Sequence, residues 1–264
     1  MAVTIPDPHQ LLNIAEEAAR TAAAELRARF GEHAAGVRSK STPTDLVSDA
    51  DLAAESAIRE VIGRHRPDDA IIGEEGGETG AGDVRWIVDP LDGTVNYLFG
   101  IPVFAVSIAC QNSSGTLAGV VLDPLRDECF TATQGGPVEM NGRPIAASGR
   151  KELATAMVAT GFAYESSLRE RQARIVSRLL PRVRDIRRAG AAALDLCWSA
   201  CGRYDAYYER GLHDWDLAAG ALIAQRAGLV VRRLPQSDAD PWGVVVAPEA
   251  LIDELYDLVS DADQ

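Results

Sequence analysis

The sequence predicts a layered α/β fold with mixed sheets, and three observations support this prediction. Helical and extended patterns alternate along the chain, as in proteins whose helices cover the faces of a sheet. Hydrophobic residues make up 47% of the 264 positions, which is ample for a packed core. No internal repeat or low-complexity segment divides the sequence. We therefore expect a single domain over residues 1–264.

Two helices and a short strand are predicted first. Residues 9–30 are rich in Ala, Glu and Arg, with apolar positions at helical spacing. A turn-rich stretch at 37–44 precedes a second helix, which starts at residue 48 or 49 and ends near residue 64. The strand at 70–72 then leads into a glycine-rich loop, which we expect to extend to Gly82.

An antiparallel meander follows, and the second half of the chain alternates strands and helices. Turn residues such as Gly115 and the run 124–127 separate the strands of the meander. The predicted strands are residues 85–88, 103–111, 116–122, 128–133, 156–160, 206–209, 229–232 and 243–246, and a third layer is expected to start at Ile186. The predicted helices are residues 167–180, 191–201, 214–227 and 248–259.

The composition argues against several classes of protein. The net charge is -13, so a nucleic-acid backbone would be repelled, and the basic run at 182–188 is expected to be solvated surface. No apolar stretch reaches the ~20 residues that span a bilayer, and we identify no signal peptide. The four cysteines form no CxxC pair, so we expect reduced thiols in a cytoplasmic protein. We expect neither a membrane nor a direct nucleic-acid partner.

The stretch WIVDPLDGT, residues 86–94, carries the strongest functional signal. An apolar strand runs directly into Asp89, which can project into a cleft at the strand end. Pro90 lacks an N–H group, so we expect sheet pairing to stop there and the Leu91 carbonyl to face a ligand.

The second half of this stretch adds a carboxylate and a helix start. Gly93 allows the backbone to turn tightly after Asp92, and Thr94 suits the N-cap of the next helix. Carboxylate, carbonyl and hydroxyl oxygens favour Mg²⁺ over zinc or copper. The alternative is an ordinary loop in which aspartate caps backbone groups.

Three further acidic stretches point to the same chemistry. Glu74 lies in GEEG, directly after the strand at 70–72. Asp216 lies in WDLAAG, in the first turn of an apolar helix, where capping of the helix is the alternative. The segment 40–51 places three aspartates beside Lys40 just before a helix, and acids are also common at such positions for structural reasons.

These stretches together resemble the inositol monophosphatase family of Mg²⁺-dependent, lithium-sensitive phosphatases. The motifs D-P-x-D-G-T-x-N, W-D-x-A-A-G, G-E-E and K-S-x-x-x-D-L-V-x-x-x-D occur in the family's order, and the match covers essentially the whole chain. The resemblance implies an αβαβα sandwich of the sugar-phosphatase type. It implies an N-terminal lobe of about residues 1–150 with most metal ligands, a C-terminal lobe of about residues 151–264 with substrate contacts, and a homodimer.

The resemblance implies that Mg²⁺ ions lie between a substrate phosphate and a set of carboxylates. Glu74, Asp89 and the Leu91 carbonyl would hold one ion. Asp89, Asp92 and Asp216 would hold a second, and Glu74 would also reach a third, weaker site through water. A phosphate dianion that enters such a cluster is repelled unless divalent cations invert the local field, so we expect the site to be inert without metal.

The resemblance also assigns catalytic groups around the metal cluster. Thr94 and Asp51 match the pair that holds the attacking water. The N–H groups of Gly93 and Thr94 would take phosphate oxygens. Lys40 matches the family's lysine near the metals, and the alternative for it is an ordinary surface lysine.

Substrate recognition maps to the second half of the chain. Glu209, in DAYYE, matches an acidic residue that accepts hydrogen bonds from ring hydroxyls, and Asp92 and Asp216 would share this role. Ala192 matches a backbone contact to the ring. The alternative for Tyr207 and Tyr208 is a plain strand edge.

The sequence therefore predicts Mg²⁺-dependent hydrolysis of myo-inositol 1-phosphate, or a related sugar phosphate, by metal-activated water. Histidinol phosphate, fructose 1,6-bisphosphate and 3′-phosphoadenosine 5′-phosphate remain alternative substrates, and a regulator of transcription or ribosomes is the non-enzymatic alternative. A haloacid-dehalogenase-type phosphatase is disfavoured, because Asp89 and Asp92 lie three residues apart rather than two. Ala191, where a hydroxyl residue is common, and the additional Asp214 leave fine specificity and metal affinity open.

Overall fold

Five alternating layers of helices and sheets form the part of the chain that the computed structural model describes, residues 7–31, 37–39 and 46–260. Helices α1 (Pro8–Arg29) and α2 (Asp49–His65) form the first layer, and a middle layer separates two sheets. The predicted αβαβα order is therefore confirmed. The other helices are α3 (Thr94–Leu98), α4 (Ser166–Leu179), α5 (Ala192–Ala200), α6 (Asp214–Arg226) and α7 (Glu249–Val259).

The strands fall into one large sheet, one small sheet and a two-stranded ribbon. The ribbon pairs β1 (Arg38–Ser39) with β2 (Leu46–Val47). The large sheet contains β3 (Ala70–Gly73), β4 (Gly77–Thr79), β5 (Arg85–Asp92), β6 (Ala105–Asn112), β7 (Gly115–Asp123), β8 (Glu128–Thr133), β9 (Val138–Met140) and β10 (Arg143–Pro144). The small sheet contains β11 (Met157–Thr160), β12 (Asp185–Arg187), β13 (Ala206–Arg210), β14 (Val230–Leu234) and β15 (Gly243–Ala247). The division into two lobes near residue 150 stays a prediction.

The large sheet has the order β10-β9-β8-β7-β6-β5-β3-β4. Its β6–β10 portion is the predicted antiparallel meander, extended by two short strands that the sequence analysis did not identify. Only β3 and β5 run parallel in this sheet, with Gly73 opposite Val88. Because the carboxyl ends of parallel strands lie at one edge, the residues that follow β3 and those that end β5 are brought together.

The small sheet has the order β12-β11-β13-β15-β14, with β13 parallel to β11 and antiparallel to β15. Side chains alternate between its two faces, as the pleat requires. Tyr207 and Val246 pack inward against α5 and α6, whereas Tyr208 and Val245 pack outward against α4 and α7. Since β13 has neighbours on both sides, Tyr207 and Tyr208 do not form a sheet edge.

Helices α1 and α2 begin at side-chain caps and bury small residues. Asp7 caps α1 through the His9 N–H at 3.0 Å, and Pro8 occupies the first turn, where a missing N–H has no cost. Ser48 and Asp51 form a capping box at the start of α2. Alanines on the buried face of α1 let the two helices approach closely and cover the large sheet.

Two predictions about the acidic stretch of β5 were wrong. Sheet pairing does not stop at Pro90, because Asp92 pairs with Ala105 after an irregularity that follows Asp89. Pro90 lies within this irregularity, where the lack of an N–H group at residue 90 does not interrupt the ladder. The N-cap of α3 is Gly93 at φ 93°, and Thr94 is the first helical residue. Only glycine adopts this left-handed conformation without strain.

Four further predictions concern the glycine-rich loop, Lys40, the cysteines and membrane-spanning helices. The loop expected over residues 73–82 contains the short strand β4. Lys40 lies outside the described residues. All four cysteines are free thiols. In the described part of the chain, none of the helices has both the length and the apolar character needed to cross a bilayer.

Two helical glycines with different surroundings provide a test of the middle layer. A Cβ atom at Gly220 of α6 would lie 2.6 Å from Leu196 Cδ1, whereas a Cβ at Gly63 of α2 would meet no atom within 4 Å. We expect Gly220→Ala to lower the free energy of unfolding by roughly 1–3 kcal/mol through overpacking. Gly63→Ala should raise it by up to about 1 kcal/mol through helix propensity. Chemical denaturation measures both, and stabilisation by Gly220→Ala would contradict this close packing of α6 on α5.

Candidate active site

Elements from both sheets converge on one acidic cavity of about 410 Å³. From the large sheet come Glu74, directly after β3, and Asp89 and Asp92 in β5. From the other side come Asp216, in the first turn of α6, and Glu209 in β13. The predicted carboxylates thus line a single cavity, although 142 residues separate the first from the last (216 − 74).

Asp92 connects the large sheet to α5. Its Oδ1 accepts a hydrogen bond from the Ala192 N–H at 3.0 Å, and its Oδ2 accepts one from the Ala193 N–H at 2.8 Å. Both donors are first-turn amides of α5, which have no partner within the helix. The Ala192 amide, expected to contact a substrate ring, thus already donates to Asp92, and its role as a ring contact stays a prediction.

Local hydrogen bonds also orient Asp89 and Asp216. Asp89 is 2% exposed, and its Oδ1 accepts from the Leu91 N–H at 3.0 Å. Asp216 Oδ2 accepts from the His213 N–H at 2.7 Å, at the start of α6. Asp216 therefore caps its helix, as the structural alternative proposed, and also lines the cavity. The capping bond and a ligand role are compatible, because a carboxylate has several acceptor positions.

Thr94 lies between the acidic cavity and a buried aspartate. Its Oγ1 is 3.1 Å from Asp51 Oδ1 and 3.0 Å from the Leu91 carbonyl oxygen. Asp51 is completely buried, and its Oδ2 accepts from Ser48 N–H and Ser48 Oγ. The Thr94–Asp51 pair expected from the family resemblance is thus present, and hydrogen bonds from Ser48 orient Asp51.

The loop that carries Glu74 is held by a residue that the sequence analysis did not identify. Glu55 of α2 accepts hydrogen bonds from Glu75 N–H at 2.8 Å and Gly76 N–H at 2.9 Å. Its side chain occupies the space beside Gly73, where any side chain would overlap it. Glu55 is 3% exposed, so these hydrogen bonds anchor the loop to α2 in the protein interior.

Glu209 closes the opposite side of the cavity. The Tyr207 hydroxyl donates to Glu209 Oε2 at 2.8 Å. Tyr207 is fully buried, so it supports the carboxylate from within the small sheet. Arg188, the last residue of the basic run 182–188, also lines the cavity. Its guanidinium carbon lies 6.0 Å from the centre of the Phe162 ring. The basic run is exposed as predicted, but its contribution of a cation to this cavity was missed.

Burial and the charges of neighbouring carboxylates raise the pKa values of Asp89, Asp92 and Asp216. Burial, together with the charges of Glu74 and Asp92, raises the pKa of Asp89 well above its usual range. Burial raises the pKa of Asp92 to about 7, against the opposing effect of the Ala193 and Ala192 amides. The pKa of Asp216 is also raised well above normal, chiefly by burial.

The small-sheet side of the cavity shows the same effect. Burial raises the pKa of Glu209 to about 7, although the Tyr207 hydroxyl and the Arg188 charge favour its ionised form. Asp195, in the first turn of α5, is completely buried, and neither of its carboxylate oxygens has a hydrogen-bond partner among the residues that the structure describes. Burial and the charge of Glu209 raise its pKa well above normal. Acidic side chains therefore outnumber basic ones among the residues that line the cavity.

This donor set fits divalent cations with a preference for oxygen. In the described part of the chain, Asp89, Asp92 and Asp216 form no ion pair with Lys, Arg or His, so added positive charge would relieve their repulsion. Carboxylate and carbonyl oxygens are the ligands that Mg²⁺ prefers. Among the residues that the structure describes, no group of three Asp, Glu, His or Cys side chains is arranged to hold a metal ion. The carboxylates instead stand around the cavity.

Asp214 does not join this cluster. Its side chain is exposed and belongs to a second cavity, between α6 and the β6–β7 hairpin. Ala191 is buried beside Gly93, where it offers no hydroxyl group.

Fold and sequence together define a phosphatase of the layered α/β class, because residues 7–263 match the model of the inositol monophosphatase family. The chain belongs to this family. Inositol-1-monophosphatase SuhB of Mycobacterium tuberculosis is 42% identical over 275 residues, which cover 96% of this chain and 95% of that protein.

Two further comparisons agree on the family but carry different names. The Nus factor SuhB of Pseudomonas aeruginosa is 44% identical over 229 residues and covers 84% of each chain. The crystal structure of extragenic suppressor protein SuhB from Bartonella henselae superposes with a TM-score of 0.87 at 34% identity, covering 94% of this chain and 98% of that one. The fold is thus that of a solved relative over nearly its whole length.

The raised pKa values predict an unusual pH dependence of stability without metal. A carboxyl whose folded pKa exceeds its unfolded pKa stabilises the fold at low pH, and this contribution is lost as pH rises through the folded value. For Glu209 the window runs from the ordinary value of 4.5 to about 7. We expect the unfolding free energy of EDTA-treated protein to fall between pH 5 and pH 8 relative to that of Glu209→Gln.

Denaturation of both proteins at several pH values measures this difference. Saturating Mg²⁺ should reduce the loss at pH 8, because bound cations stabilise the ionised carboxylates. Parallel stability profiles of the wild type and Glu209→Gln would contradict the raised pKa of Glu209.

Proposed function

We propose that this protein is a Mg²⁺-dependent phosphomonoesterase that hydrolyses myo-inositol 1-phosphate or a closely related sugar phosphate. One observation carries the proposal: Glu74, Asp89, Asp92 and Asp216 line a single cavity, and Glu209 of the second sheet lies on its opposite side. The four carboxylates on one side of the cavity are suited to binding metal ions for phosphoryl transfer. The Glu209 carboxylate on the other side is suited to accept hydrogen bonds from the hydroxyl groups of a ligand.

In this proposal the carboxylates divide between two main metal positions. Glu74, Asp89 and the Leu91 carbonyl would hold one ion, Asp89, Asp92 and Asp216 would hold the second, and Glu74 would also contribute to a third through water. Bound Mg²⁺ would supply charge neutralisation and Lewis acidity for attack of water on phosphorus. Asp89 would contribute to both main positions, so its charge would serve both ions.

The residues around the metals position the reactants. Asp51 orients the Thr94 hydroxyl, to which it lies at 3.1 Å, so that Thr94 can hold the attacking water as a hydrogen-bond partner. The Gly93 and Thr94 N–H groups offer donors to the phosphate oxygens. Lys40 would add a positive charge near the cluster. These roles follow the family resemblance.

On the other side of the cavity, carboxylates recognise the alcohol portion of the substrate. Glu209 Oε2 is occupied by Tyr207, whereas Oε1 accepts no hydrogen bond from any residue that the structure describes. It is therefore suited to accept one from a ring hydroxyl. Asp92 and Asp216 have remaining lone pairs for the same purpose, and the backbone at Ala192 borders the ring.

Other phosphate esters compete with this assignment. Histidinol phosphate, fructose 1,6-bisphosphate and 3′-phosphoadenosine 5′-phosphate are alternative substrates for the same metal-dependent chemistry. Glu209 favours a cyclitol or sugar phosphate over a substrate that lacks vicinal hydroxyls, because a carboxylate accepts hydrogen bonds from such hydroxyls. Lithium inhibition, a homodimer and a cytoplasmic location stay predictions.

A second candidate function is regulation of transcription, and the Pseudomonas aeruginosa relative named a Nus factor is the observation that favours it. The net charge of -13 disfavours direct contact with RNA. A protein–protein role with the transcription machinery is compatible with that charge. Co-purification of RNA polymerase, together with phosphate release at background on every ester, would favour regulation over catalysis.

The function is tested by measuring phosphate release from the candidate esters with and without Mg²⁺. We expect the highest kcat/KM for inositol 1-phosphate and background rates in EDTA. Asp89→Asn should lower kcat by roughly 100-fold or more, because it removes one bridging charge from both metal positions. Asp214→Asn is the matched control at an exposed aspartate outside the cavity, and it should retain activity. Wild-type rates in Asp89→Asn would refute this metal assignment.

Glu209→Gln tests recognition of the ring separately from the chemistry. Loss of a charged acceptor should raise KM for inositol 1-phosphate roughly tenfold or more, as expected for a hydrogen bond to a charged group. A small aryl phosphate lacks ring hydroxyls, so its kinetics should change little. Equal increases in KM for the two substrates would mean that Glu209 does not bind the ring hydroxyls.

A further inference from the structure

Gly161 and Glu209 lie side by side where two parallel strands end. Strands β11 and β13 pair in register, with Thr160 opposite Tyr208. The next position on each strand is Gly161 and Glu209. Since side chains at matching positions of neighbouring strands point to the same face, any side chain at 161 would point toward that of Glu209.

The space beside Gly161 is filled by the Glu209 carboxylate. A Cβ atom at residue 161 would overlap the carboxylate carbon and both of its oxygens, and these are the three atoms nearest to that position. The φ angle of Gly161 is not in the left-handed region. The backbone here therefore does not require glycine, and the obstacle to a larger residue is the side chain of Glu209.

Tyr207 confines the same carboxylate from a second direction. Its hydroxyl donates to Oε2 at 2.8 Å, and its ring is fully buried between α5 and the small sheet. The Glu209 carboxylate is thus held between the Tyr207 hydroxyl and the backbone of Gly161. Oε1 is left without a partner among the described residues, on a side chain that lines the cavity.

We infer that Gly161 is a positioning residue for Glu209 and thereby a determinant of specificity for polyol phosphates. Its lack of a side chain lets the carboxylate withdraw to the cavity wall, which leaves room for a ring and presents Oε1 to a hydroxyl group. A larger residue at 161 pushes the carboxylate into the cavity or away from Tyr207. This inference rests on the proposed role of Glu209 in recognising the substrate ring.

The test compares Gly161→Ala with Gly135→Ala on two substrates, inositol 1-phosphate and 4-nitrophenyl phosphate. Gly135 is a matched control, because its φ is also outside the left-handed region and a Cβ there would meet no atom within 4 Å. We expect Gly161→Ala to raise KM for inositol 1-phosphate about tenfold, with kcat/KM for the aryl ester within about twofold of wild type. Gly135→Ala should match wild type on both substrates.

A double-mutant cycle with Glu209→Ala shows whether Gly161 acts through Glu209. In the Glu209→Ala background the obstacle is absent, so adding Gly161→Ala should leave KM for inositol 1-phosphate unchanged. Thermal unfolding of all four proteins should show the same pattern, with a loss for Gly161→Ala that disappears when Glu209 is truncated. Additive effects in KM and in melting temperature would overturn the inference.

The remaining outcomes separate this inference from the proposed function. If Glu209→Ala leaves KM for inositol 1-phosphate unchanged, the recognition role of Glu209 fails, and the inference fails with it. If Glu209→Ala raises KM but Gly161→Ala does not, only the inference is overturned. Equal losses by Gly161→Ala on both esters also overturn it, because Gly161 would then support the whole fold rather than one carboxylate.

Discussion

Repulsion among buried carboxylates is the constraint on which this structure depends. Asp89, Asp92 and Asp216 share a cavity, where burial and the charges of neighbouring carboxylates raise their pKa values, and no basic side chain in the described part of the chain forms an ion pair with them. Such an arrangement is unfavourable for stability alone. It becomes favourable when divalent cations and an anionic ester enter together, so the same groups that weaken the metal-free protein prepare it for phosphate chemistry.

The fold tolerates this repulsion because each acid is held by a rigid element. First-turn amides of α5 bind Asp92, the N–H of His213 at the N-cap of α6 binds Asp216, and Glu55 anchors the loop of Glu74 to α2. These contacts use N–H groups that would otherwise lack partners at helix ends and in loops. Preorganisation of this kind matters in phosphoryl transfer, where the protein contributes mainly position and charge.

The sequence predicted the layers and the acidic motifs, because both depend on local patterns. Apolar periodicity identified α1 to α7 apart from the short α3, and the motifs around Asp89 and Asp216 identified the family. The family resemblance indicated the contact between Thr94 and Asp51, but other contacts between distant segments were not predictable: nothing local indicates that Glu55 supports residues 75 and 76, or that Asp92 binds α5. Pro90 misled the analysis, since an irregularity in the ladder accommodates it and pairing resumes at Asp92.

The bond from Ala192 to Asp92 joins residues 100 positions apart, and this separation affects how the protein is made. While only the first half of a newly synthesised chain has been made, the α5 amides that bind Asp92 do not yet exist. The cavity is complete only after the later segments α5, β13 and α6 dock onto the first sheet. The full set of acidic side chains, including Glu209 and Asp216, is therefore assembled only once the second half of the chain has been synthesised.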